Sequence, residues 1–261
     1  MEVIIQPTAQ DAVNLTARVM ADQLRQRPDL VFGLATGATM EAVYAELGRM
    51  HREENLDFSG AKSFNLDEYI GLPPEDKNSY RYYMDHHLFN HINIKKANTH
   101  LPNGMTTDVP GEGARYEAAI QAAGGIDLQL LGIGQDGHIG FNEPLSSLSS
   151  RTRDKSLTPV TYQQNCIYFN PPESMPRRAF TMGVGTILDA KRIVMLVTGA
   201  RKAEIIARAI EGPITSMISA TAIQFHRNVV VVVDEAAATK LAGQDYYRWS
   251  FANEPCWAPY R

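Results

Sequence analysis

Leu30-Val31-Phe32-Gly33-Leu34-Ala35-Thr36-Gly37-Ala38-Thr39 is the stretch that sorts this chain into a fold class. Leu30 to Ala35 is a short apolar run bounded by small and hydroxylated residues, the signature of a buried strand. Just beyond it, Val43, Leu47 and Met50 fall on one helical face. The same alternation recurs along the chain. Ser63 to Leu66, Asp127 to Leu131, Arg192 to Val197 and Asn228 to Val233 also read as buried strands. Val13, Ala17, Met20 and Leu24 share a helical face behind a candidate Thr8 cap. Further helices are expected at Ser79 to Phe89, Gly111 to Ala123, Ala200 to Ile210 and Glu235 to Ala242. Strands alternating with helices predict an α/β protein: a single-domain, open, doubly wound and mostly parallel sheet with helices on both faces.

The 261 residues suffice for one catalytic domain, 1–261, with a substantial core. Residues 243–261 form an aromatic C-terminal tail with Tyr246, Tyr247, Trp249, Phe251 and Trp257, expected to pack on its own subunit or on a neighbour. Asp136 to Met175 is long, polar and rich in Ser and Pro, as functional or disordered segments are. The formal net charge of −4 offers no general attraction for nucleic acid or an anionic membrane. No apolar run approaches membrane-spanning length, and Met1 to Gln10 lacks the pattern of a signal peptide. The two cysteines, Cys166 and Cys256, form no CxxC or Cys/His spacing, which suits a cytoplasmic protein and not a disulfide or zinc scaffold.

In open α/β sheets ligands bind beyond the carboxyl ends of the strands. The segments there are Thr36-Gly37-Ala38-Thr39, Asp67-Glu68, Gly132 to Glu143 and Gly199 to Lys202. The first, a small hydroxylated strand-to-helix turn, fits a phosphate cradle, although many such turns are only turns. It is not a GxxxxGK[ST] loop, so a nucleoside triphosphate is not expected. Lys202, at a helix start, is a candidate fixed cation. Asp67 and Glu68 are adjacent carboxylates at a strand end. One must face the crevice if the other faces away, and a carboxylate there can act as a general base. Gly132, Gly134 and Gly137 spell a literal GxGxxG, but His138, Gly140, Asn142 and Pro144 follow where a dinucleotide fingerprint needs a helix. No redox cofactor is expected. In that loop Asp136 and Glu143 flank His138, an arrangement that fixes a tautomer and suits a proton shuttle. The same three groups are also a conceivable ligand set, weakened by the lack of a second imidazole or a thiolate nearby. No metal is expected. The residues alone lead to a sugar-phosphate isomerase, a lactonase or a related enzyme.

At these residues the chain resembles the glucosamine-6-phosphate deaminase family. The likeness rests on Leu34 to Gly37, Asn65 to Leu72, Leu131 to Gly134, Gly137-His138-Ile139-Gly140-Phe141-Asn142-Glu143-Pro144, Ser149 to Arg153, and Met182 to Leu188. It runs to about Ala242 and weakens in the tail. The resemblance implies that glucosamine 6-phosphate becomes fructose 6-phosphate and ammonia, in amino-sugar catabolism, by an enzyme classed among the hydrolases. It implies that His138 assists ring opening, that Asp67 moves a proton between C2 and C1, and that Asp136 and Glu143 orient and tune His138. Thr36, Gly37, Ala38, Thr39 and Lys202 resemble the phosphate-binding groups. Ser147, Arg153 and Lys155 match an allosteric N-acetylglucosamine 6-phosphate site of hexameric members, where it lies between subunits and includes the N-terminus. A homo-oligomer with an effector is therefore implied.

Two departures stand out. Ile167 occupies a position where many members carry a phosphate-binding arginine, with Arg177 and Arg178 as candidate replacements. Met40 stands where proline is common. The rival readings are a galactosamine 6-phosphate deaminase, a 6-phosphogluconolactonase-like hydrolase, and a non-catalytic sugar-phosphate sensor. Ile139 to Pro144 favours the deaminase over the lactonase. A strand pattern that starts near residue 3 leaves a DNA-binding domain unexpected ahead of it.

Overall fold

A computed structural model describes all 261 residues. In chain order the strands are β1 Glu2–Gln6, β2 Val31–Leu34, β3 Lys62–Asn65, β4 Asp67–Tyr69, β5 Thr99–His100, β6 Leu128–Leu131, β7 Arg153–Ser156, β8 Arg178–Thr181, β9 Arg192–Val197 and β10 Val229–Asp234. The α-helices are α1 Ala9–Gln26, α2 Ala38–Glu54, α3 Tyr80–His87, α4 Val109–Ala122, α5 Pro159–Asn165, α6 Val184–Leu188, α7 Ala203–Ile210, α8 Glu235–Ala238 and α9 Gln244–Asn253.

Seven strands form one sheet in the order β1-β10-β9-β6-β2-β3-β5. Every pairing in it is parallel. The chain leaves β2 toward β3 and β5 but leaves β6 toward β9 and β10. The winding therefore reverses between the neighbours β2 and β6, and their carboxyl ends part to open a crevice. Buried on both faces, the central strands are nearly all apolar, as in Val229-Val230-Val231-Val232-Val233. One core of 61 buried residues runs from Val3 to Trp257.

Thr8 caps α1 as its position predicts, its Oγ1 accepting from Asp11 N at 3.1 Å. The structure changes three expectations. Asp67 does not end the strand before it. The parallel strand stops at Asn65, and Asp67 opens β4, which pairs antiparallel with β8. With β7 these make a second, three-stranded sheet. Asp136 to Met175, read from its composition as functional or disordered, contains β7 and α5 and contributes Phe141, Phe169 and Met175 to a small cluster with Tyr69 and Ala179. The helix expected from Glu235 to Ala242 stops at Ala238.

The tail packs on its own chain. Trp257 is buried, its Nε1 donates to the Glu2 carboxylate, and Arg18 lies 5.1 Å over the Tyr260 ring. These contacts cover the β1 edge of the large sheet, which would otherwise be an open template for pairing. No helix is long and apolar enough to cross a membrane.

Candidate active site

The crevice between β2 and β6 is a cavity of about 570 Å³. Thr36 to Thr39, Asp67, Gly132 to Gln135, His138 and Lys202 all line it, so the segments expected to converge do so. Tyr69, Tyr80, Phe141 and Phe169 add an aromatic wall drawn from four separate parts of the chain. It becomes visible only once the second sheet folds beside the first.

The phosphate-cradle segment opens α2. Gly37 holds φ at +123°, in the region that favours glycine, and no side chain caps the helix. Met40 N bonds back to Gly37 O at 2.9 Å, whereas the N–H groups of Ala38 and Thr39, both in the cavity lining, have no protein acceptor and are free for an anion. Tyr83 Oη donates to Gly37 O at 2.8 Å and ties this turn to α3. Lys202 Nζ donates to Ile133 O at 2.7 Å, and burial pushes its ammonium below the usual lysine range.

Asp67 and Glu68 have separate fates, as adjacent positions on a strand require. Glu68 points away from the cavity, accepting from Tyr69 N at 2.8 Å, Tyr80 N at 3.0 Å and Arg81 N at 2.9 Å, and so anchors the start of α3. Asp67 is 6% exposed, and no protein donor reaches its carboxylate. Burial, with the neighbouring Glu68 charge, raises it from 3.8 to about 8. Burial likewise lifts Glu68 to about 7, against the pull of its three backbone bonds.

His138 is held from behind. Its Nδ1 lies 2.6 Å from Asp136 Oδ1 and 3.7 Å from Glu143 Oε2. Neither carboxylate lies on the line of the N–H, so the contacts are close but bent. Burial acts to raise the Asp136 carboxyl, but the His138 contact outweighs it and leaves the group below the usual value. Glu143 accepts from Thr158 N at 3.1 Å and from Thr158 Oγ1 at 3.3 Å. Only His138 of the three lines the cavity, while Asp136 and Glu143 stand behind it. Glycine is needed at 134, where a Cβ would lie 2.5 Å from the imidazole. The loop is stapled by two hydroxyls that sequence reading missed. Thr181 Oγ1 accepts from Phe141 N at 3.0 Å, and Ser219 Oγ accepts from Ile139 N at 3.2 Å and donates to Asn142 O at 2.7 Å. Nothing in the sequence around Ser219 marks it. The ligating atoms of Asp136, His138 and Glu143 lie within 4.8 Å of one another, so their spacing would also admit a cation.

Apart from Met40, the remaining candidates sit elsewhere. Ile167 is 71% exposed and outside the cavity lining, although its neighbour Tyr168 belongs to it. Arg177 lies 5.7 Å over the Tyr162 ring and Arg178 pairs with Asp154, so neither replaces a cation in the cavity. Met40 is buried and lines the cavity. Ser147 bonds Ser149 at 3.0 Å. Arg153 Nη1 donates to Asn142 Oδ1 at 3.0 Å and to Arg151 O at 3.2 Å, and burial lowers its guanidinium from the usual value. Lys155 lies two residues along β7, half-buried on the same face as Arg153. No hydrogen bond links these three groups within one chain, and the N-terminal Glu2 is engaged by the tail.

A parallel sheet with an anion-binding helix end, a buried unpartnered carboxylate and a carboxylate-backed imidazole in one crevice defines an enzyme of acid–base chemistry on small phosphorylated metabolites. The chain belongs to the family of glucosamine-6-phosphate isomerases and 6-phosphogluconolactonases, whose model matches residues 6–232. It is 48% identical over 248 residues to a glucosamine-6-phosphate deaminase of Shewanella loihica, covering 95% of this chain and 92% of that one. A glucosamine-6-phosphate deaminase of Arthrobacter is 46% identical over 257 residues, covering 98% and 99%. Among solved structures, a monomeric glucosamine-6-phosphate deaminase superposes with a TM-score of 0.90 at 43% identity, covering 92% of this chain and 100% of that one. A 6-phosphogluconolactonase from Trypanosoma brucei, 20% identical with a TM-score of 0.72, shares the fold.

Proposed function

We propose that this protein converts glucosamine 6-phosphate and water to fructose 6-phosphate and ammonia. The observation that carries the reading is Asp67, a buried carboxylate without a donor, placed in the same cavity as a backed His138 and the open end of α2. His138 takes the proton of the anomeric hydroxyl and delivers it to the ring oxygen, which opens the ring. Asp136 and Glu143 stabilise the imidazolium that forms in between. Asp67 removes the C2 proton to give an enolamine and returns a proton to C1. Water then adds at C2 of the resulting imine and ammonia leaves. The free-enzyme value of about 8 for Asp67 belongs to an empty cavity. A substrate ammonium beside it favours the ionised, basic form.

The named relatives of 46–48% identity support the deaminase over the lactonase, which is approached only at fold level. Purified protein is expected to release ammonia from glucosamine 6-phosphate, with EDTA leaving the rate intact. Hydrolysis of 6-phosphogluconolactone with no ammonia release would overturn the reading. Running galactosamine 6-phosphate in parallel settles the preference at C4. The free Cys166 and Cys256 suit a cytoplasmic setting. Regulation by N-acetylglucosamine 6-phosphate in an oligomer is a separate part of the proposal. Arg153 touches Asn142, next to Glu143, so an anion drawn to Arg153 would act directly on the catalytic loop. Light scattering and a leftward shift of the rate curve with this effector test it. A monomer with an unshifted hyperbolic curve would refute it.

A further inference from the structure

A sugar 6-phosphate brings a group of charge about −1.5 to −2 at neutral pH. The cavity wall holds two cationic side chains, Lys202 and Lys77. Lys202 is the more buried and is tied to Ile133 O. The opening also carries Glu41, whose charge opposes an anion there. Of the other basic groups near this end, Arg201 is exposed and outside the cavity lining, and three more are engaged. Arg81 donates to Thr99 Oγ1 at 2.9 Å and lies 3.5 Å from the Asp85 carboxylate, while Arg177 and Arg178 belong to Tyr162 and Asp154.

Lys77 differs from all of these. It is exposed at the cavity mouth and enters no ion pair. Its backbone is nevertheless fixed. Asp76 caps the turn, accepting from Asn78 N at 2.8 Å through its side chain and from Ser79 N at 2.9 Å through its carbonyl. Ser79 Oγ donates to Pro74 O at 3.1 Å, and Glu68 holds Tyr80 N and Arg81 N immediately beyond. The Tyr83–Gly37 bond then joins this platform to the open end of α2. A free ammonium on a fixed turn, beside unpaired helix N–H groups, is arranged to meet an anion.

We propose that Lys77 is a substrate-binding residue that clamps the 6-phosphate against the amino end of α2, as a second cation beside Lys202. This rests on the phosphorylated-sugar reading above. The test compares the wild type, Lys77→Met and Lys77→Arg in ammonia release from glucosamine 6-phosphate, and measures inorganic phosphate binding by calorimetry. Losing one charge-assisted contact at an exposed position is expected to raise KM about tenfold in Lys77→Met, with kcat within about twofold. The Kd of inorganic phosphate rises in step, and Lys77→Arg stays near the wild type. Unchanged KM and unchanged phosphate Kd in Lys77→Met overturn the proposal, as does a loss confined to kcat. A wild type that releases no ammonia yet binds phosphate, with binding weakened in Lys77→Met, refutes the reaction and upholds the clamp.

Discussion

Two aspartates at opposite ends of the same sheet are buried to the same degree and treated in opposite ways. Asp127, at the amino end of β6, is 5% exposed, and Asp67, beyond the carboxyl end of β3, is 6% exposed. Asp127 accepts from Arg27 at 2.5 Å, Lys191 at 2.7 Å and Val31 N at 2.9 Å. Asp67 has no donor at all, and burial holds it near pH 8. A fully partnered acid joins strands together. An acid left without partners disfavours folding when ionised, and natural proteins keep such groups where their reactivity is used. The difference teaches that equal burial hides opposite surroundings, one carboxylate being fully partnered and the other left without a donor.

The largest effect should come from breaking the reactive side. Asp67→Asn keeps the shape and removes the base, and should lower kcat by about 10²–10⁴-fold with substrate still bound. Asp127→Asn should leave kcat within a few-fold. Near-normal turnover by Asp67→Asn would end the contrast, since Glu68 is already occupied by three backbone donors.

The imidazole cluster sharpens the same point. His138→Gln should also cost about 10²–10⁴-fold, whereas Glu143→Gln in the His138→Gln background should cost little more. If the two losses simply multiply, the cluster does not act as a unit.

A pH experiment reads the buried Asp67 without assaying activity. The folded-state value of Asp67 is raised from 3.8 to about 8, and that of Glu68 from 4.5 to about 7. Between those limits the folded protein keeps protons that the unfolded chain has released. Their stabilising contribution is fully present below about pH 4 and is lost as pH rises through about 7 to 8. Asp67→Asn cannot ionise, so its Tm relative to the wild type should climb between pH 4 and pH 8. A difference independent of pH would show that Asp67 is ordinary in the folded state.

The smallest effect is expected from the structural side. Asp127→Asn weakens two charge-assisted bonds whose cationic partners are 44% and 52% exposed. Solvent screening of those partners limits the loss to about 1–2 kcal/mol, read as a lower urea midpoint at unchanged slope. No loss of stability would mean that the Asp127 network adds nothing beyond the backbone bond.

Much of this was legible along the chain. The apolar runs at Val31 to Leu34 and Val229 to Val233 have only one comfortable place, the middle of a covered parallel sheet, and the helical faces between them supply the cover. The glycine-dense stretch from Gly132 to Gly140 declared a tight loop presenting His138, and Gly134 proves to be where the imidazole allows no side chain. Less legible were the short polar strands β4 and β7, of three and four residues, because strands of that length carry almost no periodicity. Their existence depends on partners distant in sequence.

Sequence by itself therefore determined the class of fold, the four segments that meet in the crevice, and the Asp67-Glu68 pair and His138 as candidates within them, because hydrophobic period and position after a strand are local properties. Tertiary structure alone decided that Asp67 faces the cavity while Glu68 anchors α3, that Asp136 and Glu143 stand behind His138, and that Lys77, not Arg177 or Arg178, shares the cavity with Lys202. Each of those outcomes turns on which donors and charges arrive from elsewhere in the chain, and a carboxylate or an ammonium reads the same in the sequence whether a partner reaches it or not.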